Sequence, residues 1–142
     1  MAIPTAKPII VCKLRQNLSF VMEQQLNDQE LQRRKEVEEL RALGIEPYPA
    51  EGYDVNATAE GILNNFTPEN AAAYSKVSLA GRVVTKRIMG KASFAVLQDS
   101  TGQIQVYVNR DEICPGEDKT MYNEVFKRLI SLGDIIGVEG YV

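Results

Sequence analysis

With 142 residues, 44% of them hydrophobic and 25% charged, the chain has the size and balance of one water-soluble folded domain with short decorations. Its net charge of -3 comes with no histidine at all, which excludes Ser-His and Cys-His nucleophile arrangements and removes the commonest general base, so a self-contained enzyme is a poor reading. The two cysteines, Cys12 and Cys114, stand far apart with no CxxC partner, which points to a reduced, inert pair rather than to zinc or a disulfide framework.

In chain order, residues 1–26 carry the fewest signals. Their best apolar run, Pro8 to Cys12, is ended by Lys13. It falls short both of the roughly 18 residues of a spanning helix and of a secretory h-region, and no small-residue cleavage site follows. We read this stretch as a leader, disordered or foreign to the fold, on a cytoplasmic protein that does not enter a membrane. From Asn27, the run NDQELQRRKEVEELRALG predicts a helix with Asn27 as N-cap, Glu30 three residues on and Gly44 past its end. Val37, Leu40 and Leu43 make only a narrow apolar stripe, and Arg33, Arg34 and Lys35 read as a solvated face. The segment from Ile45 to Ser75 holds five acids and no base. Its prolines and glycines suggest an extended connector with a short helix around Ala59 to Asn65.

Near Lys76 the period changes to two. Val77, Leu79 and Val83 alternate with Ser78, Ala80 and Arg82 in a first strand, Ile88 to Ala92 reads as a turn, and SFAVLQD as a second strand. The third strand, QIQVYVNR, sends Ile104, Val106 and Val108 one way and Gln103, Gln105, Tyr107 and Asn109 the other. After Pro115 and Gly116, TMYNEVFKRLI places Met121, Val125, Phe126 and Leu129 at helical spacing, and Gly133 leads into DIIGVEGYV. Strand, strand, strand, helix, strand is the order of an OB-type Greek-key barrel. The expected fold class is therefore all-β with helices, the barrel at residues 76–142, preceded by the helix and connector of residues 27–75. A fifth strand is expected beyond Val142, closing onto the first strand.

Charge is distributed unevenly. Residues 76–91 contain Lys76, Arg82, Lys86, Arg87 and Lys91 with no acid, the kind of stripe that neutralises phosphates. Lys86, Arg87 and Lys91 are placed on the turn between the first two strands, a ligand loop of this fold. By parity Phe94, Gln105 and Arg82 face outward together, a stacking surface beside an amide and a guanidinium, which suits unstacked bases. Glu139 is outward on the last strand. Blander readings stay open: Phe94 as a core aromatic, Gln105 as a solvated strand residue, the basic turn as a solubility device and Glu139 as a plain surface acid.

Three ordered blocks, QRRKEVEELRALGIEPYP, VSLAGRVVTKRIMGKASFAVLQDSTGQIQVYVNRDE and FKRLISLGDIIGVEGYV, resemble the N-terminal region of bacterial class II lysyl-tRNA synthetases over roughly residues 27–142. The resemblance implies that the barrel reads the anticodon stem-loop of a lysine tRNA. Phe94 would be the stacking platform for the central base, Gln105 the base-edge reader with Arg82 beside it, and Lys86, Arg87, Lys91 and Glu139 further RNA contacts. It also implies a full-length, homodimeric lysine ligase using ATP and magnesium, whose catalytic residues would lie beyond Val142. No cofactor or catalytic residue is expected within the present chain. Family chains usually begin just before the first helix, and Met22 looks like such a start. The alternatives are an aspartyl- or asparaginyl-tRNA synthetase barrel and a free-standing OB module for single strands.

Overall fold

The computed structural model describes residues 27–142. The leader reading for residues 1–26, and Cys12 within it, lie outside the described residues. The chain divides into two compact units between Ile45 and Glu46. In the first, helix α1 (Asp28–Ala42) forms as its capping signals require. The Asn27 side chain accepts from the Glu30 amide at 2.8 Å, and the Glu30 carboxylate accepts from the Asn27 amide at 2.9 Å. Gly44, just past its end, takes a φ of 79°, the left-handed conformation that glycine tolerates best. Arg33, Arg34 and Lys35 are exposed.

The second unit contains helix α2 (Ala59–Asn65), a 3-10 stretch (Pro68–Tyr74), strands β1 (Val77–Met89), β2 (Ala92–Gln98) and β3 (Gln103–Asn109), a short helix α3 (Arg110–Ile113), a wide π-type helix α4 (Met121–Leu129) and strand β4 (Ile135–Gly140). The segment from residue 46 to 75, grouped with the first helix on sequence grounds, belongs to this unit. All strand pairs are antiparallel, in the order β3-β2-β1-β4. β1 is long enough to serve two neighbours in succession. Val77 to Arg82 pair with β4, and Arg82 to Met89 pair with β2.

That order corrects the expected closure onto the first strand. β1 is interior to the sheet, and the two edges are β3 and β4. A cleft of about 610 Å³ lies by these edges, lined by Ile104 and Val106 of β3, Ile136 and Val138 of β4 and Val125 and Phe126 of α4. The inward side chains form two apolar clusters. One holds Leu79, Val83 and Leu97, and the other Ala95, Cys114, Tyr122 and Phe126. Val106 and Ile130 pack against both. In α4 it is Tyr122, not the expected Met121, that turns inward beside Val125, Phe126 and Leu129. Its ring stacks on Phe126 with centroids 5.9 Å apart, and its hydroxyl finds two polar partners below the helix, as a buried phenol must.

The β1–β2 turn is shorter than the sequence suggests. β1 runs on through Ile88 and Met89, and only Gly90 and Lys91 separate it from β2. Gly90 has a φ of 67°, which the tight connection demands and other residues rarely adopt.

Candidate nucleic-acid interface

A bulge fixes which side chains of β1 face outward. Between Val83, opposite Leu97, and Thr85, opposite Val96, Val84 is an extra residue with no partner on β2. One inserted residue reverses the alternation that follows it. Before the bulge Arg82 is exposed and Val83 buried; after it Thr85, Arg87 and Met89 are exposed, while Lys86 and Ile88 turn in. Arg87 on β1, Phe94 on β2 and Tyr107 on β3 thus stand opposite one another across three strands. The next rung carries Thr85, Val96 and Gln105.

The Phe94 and Tyr107 rings lie with centroids 5.3 Å apart and planes tilted by 54°. Phe94 is half-buried, whereas Tyr107 is 55% exposed. The phenylalanine faces out, away from the clusters formed by its neighbours Ala95 and Leu97, so the core reading does not describe its place. Of the amides on this face, Gln98 and Gln103 bond each other at 3.1 Å, and Asn109 accepts from the Asp111 amide at 2.9 Å as the cap of α3. Gln105 alone among them has no hydrogen-bond partner within the described residues. It sits diagonally from Phe94 and two residues from Tyr107 along β3, both within reach of a long side chain. Arg87, exposed at the end of the aromatic rung, likewise has no partner among the described residues.

The other expected site residues are placed differently. Arg82 lies opposite Gln98, two rungs from Phe94, and its guanidinium donates to the Gly133 carbonyl at 2.6 Å. Lys86 is not on the turn: it pairs with Ala95 on the inner side, and its ammonium donates to the carbonyls of Phe126 at 3.2 Å, Lys127 at 3.4 Å and Ile130. It also lies 5.8 Å from the centre of the Phe126 ring. These contacts cap the end of α4 with all three of its donors. Lys91 is exposed on the turn itself. Glu139 is exposed but pairs with Ser78, far along β1 from Arg87, and the structure does not bring it to the aromatic rung.

Two devices hold this face in shape. Ser93, fully buried, shares a 2.6 Å hydrogen bond with the Tyr122 hydroxyl, which donates in turn to the Gly90 carbonyl at 3.0 Å, tying the β1–β2 turn to α4. At the opposite end of the hairpin, Asp99 accepts from the amides of Thr101 and Gly102, from the Thr101 hydroxyl and, at 2.7 Å, from the Ala59 amide at the start of α2. Partial desolvation pushes its pKa up, but these hydrogen bonds together outweigh it and bring the carboxyl from 3.8 to about 2.

The family model for OB-fold nucleic acid binding domains matches residues 77–142, the span of all four strands and α4. Residues 77–142 have the OB fold. The longer chain is similar to lysine-tRNA ligases, in agreement with the resemblance carried by its three sequence blocks. It is 54% identical over 118 residues to that of Porphyromonas gingivalis, covering 83% of this chain and 20% of that protein. Identity is 52% over 117 residues with the enzyme of Christiangramia forsetii, covering 82% and 20%. With that of Tolumonas auensis it is 44% over 122 residues, covering 84% and 23%. The chain spans about a fifth of the length of these relatives.

Within the OB domain, sequence reasoning assigned no role to Tyr107, although its outward parity in QIQVYVNR was plain. The signal that could have found it is the exposure of an aromatic ring at an outward position beside Gln105. Among the described residues no three or more Asp, Glu or Cys side chains gather where a metal ion could be held. No helix among them is long and apolar enough to cross a membrane.

Proposed function

We propose that the outer face of β1, β2 and β3 holds unpaired anticodon bases of a lysine tRNA. In this reading the chain is the anticodon-recognising part of a cytoplasmic, homodimeric lysyl-tRNA synthetase whose full-length form joins lysine to that tRNA using ATP. The observation that carries the reading is Gln105, the one amide on this face without a partner among the described residues, set beside the Phe94 and Tyr107 rings. A ring supplies the face on which an unstacked base lies, and an amide supplies a donor and an acceptor for its Watson-Crick edge. Phe94 stacks the base, Gln105 reads it, and Arg87 with Lys91 meets the backbone phosphates. Lys86 and Arg82 serve the fold through their carbonyl contacts. The similarity to lysine-tRNA ligases favours the lysine reading over an aspartate- or asparagine-type barrel or a free-standing module.

The test is fluorescence anisotropy of this chain with a labelled lysine-tRNA anticodon stem-loop and with loops altered at single anticodon bases. Phe94→Ala weakens cognate binding by about five- to a hundredfold, the worth of one stacked base. It does so more for the cognate loop than for altered ones, and its melting transition stays near wild type. Gln105→Ala narrows the discrimination between loops. Equal weakening of every loop by a folded Phe94→Ala protein would overturn the assignment.

A further inference from the structure

We infer that Tyr107 is a second base platform, stacking the nucleotide next to the one on Phe94. This rests on the reading of Phe94 as the first platform. Three observations on β3 support it. Tyr107 is the cross-strand partner of Phe94, yet the two planes are tilted by 54°, so the rings present faces in different directions and one base cannot lie flat on both. Tyr107 is 55% exposed, far more than a ring that merely buttresses its neighbour needs to be. Its hydroxyl has no partner among the described residues, so nothing in the fold accounts for the phenol.

The surroundings suit a short single strand. The two rings stand side by side on neighbouring strands, with centroids 5.3 Å apart, and single-stranded RNA is read by laying unstacked bases on aromatic side chains. Arg87 continues the rung past Phe94, and Gln105 flanks both rings, diagonally from one and along the strand from the other. Gln103 and Asn109, which could otherwise compete for base edges on β3, are occupied by Gln98 and by the cap of α3. The nucleotide on Tyr107 is therefore held by stacking, which any base supplies, and Gln105 lies within reach of the edges of both bases.

The experiment scans an anticodon-loop RNA with single abasic nucleotides against the wild-type chain, Phe94→Ala, Tyr107→Val and Tyr107→Phe. Valine keeps a strand-favouring side chain without a π face, and phenylalanine keeps the face without the hydroxyl. Wild type should lose about five- to a hundredfold in affinity at each of two adjacent positions. Phe94→Ala should abolish the penalty at one position and Tyr107→Val at the other, while Tyr107→Phe keeps both. If Tyr107→Val and Phe94→Ala abolish the same single penalty, Tyr107 only props the first ring and the second platform is wrong, with the Phe94 reading intact. If no abasic position weakens wild-type binding, both readings fail together.

Discussion

On the inner side of β1–β2–β3 the polar side chains are committed to the fold: Ser93 to the Tyr122 hydroxyl, Lys86 to three carbonyls at the end of α4. On the outer side Arg87, Gln105 and the Tyr107 hydroxyl have no such partners among the described residues, and they surround two aromatic rings. No buried side-chain nitrogen or oxygen among the described residues lacks a partner, so the contrast is not one of loose against tight packing. It separates groups whose hydrogen bonds are made on folding from groups whose hydrogen bonds are left to solvent or a ligand. Lys86 and Arg87 are adjacent in sequence and of like charge, yet they fall on opposite sides of that division, and the bulge at Val84 decides that Lys86 is the one turned inward.

The largest expected effect tests the inner side. Lys86→Met keeps the aliphatic stem but removes the ammonium from the end of α4, leaving part-buried carbonyls short of a donor. Such a loss costs about 2 to 3 kcal/mol, read as a lower midpoint in urea unfolding with an unchanged slope. A cost within experimental error would move Lys86 to the outer class and restore it to the RNA contacts.

Asp99 joins the two sides at the rim, since it fixes the β2–β3 hairpin to the start of α2. Asp99→Asn should cost about 1 to 2 kcal/mol at neutral pH, as the loss of a charged cap does. The folded pKa is lowered, from 3.8 to about 2, so the folded state binds the proton less readily than the unfolded chain. The carboxylate's stabilisation is therefore complete above about pH 4 and fades as pH falls toward 2. Unfolding midpoints measured from pH 6 to pH 2 should converge for wild type and variant at the acid end. A constant gap would mean that Asp99 acts through packing instead of charge.

Much of the outer face was legible from sequence because it depends on local alternation. The run QIQVYVNR displays its two faces without ambiguity, and the capping box at Asn27 and Glu30 needs only residues three apart. What escaped depends on distant partners or on an irregular step. Continued parity from Arg82 would send Lys86 outward and Arg87 inward. The bulge that reverses this has no signature in VVTKR, where Val83 and Val84 look interchangeable. Lys86 finds its carbonyls forty residues away, and Asp99 its helix equally far, so neither role has a local spacing to betray it. The place of β1 inside the sheet was hidden for the same reason: its first half pairs with β4, from Val77 opposite Gly140 to Arg82 opposite Ile135, a partner far along the chain.

The smallest expected effect lies beside the largest in sequence. Arg87→Ala removes a solvated side chain from the outer face, so its unfolding midpoint should shift by no more than about 0.5 kcal/mol in stability. Its signature is instead in the salt dependence of RNA binding. Each phosphate contact on a single strand contributes about 0.7 to the slope of log affinity against log salt, and the variant's slope should be shallower by about that amount while wild-type selectivity among anticodon loops persists, because phosphates position without specifying. A guanidinium that stacked on the Phe94 base would behave otherwise: affinity would fall at every salt concentration, the slope would change little, and the loss would depend on which base lies on the ring. The two outcomes separate a phosphate clamp from a third member of the stacking rung, a distinction the register alone leaves to chemistry, since it sets exposed Arg87 directly opposite Phe94.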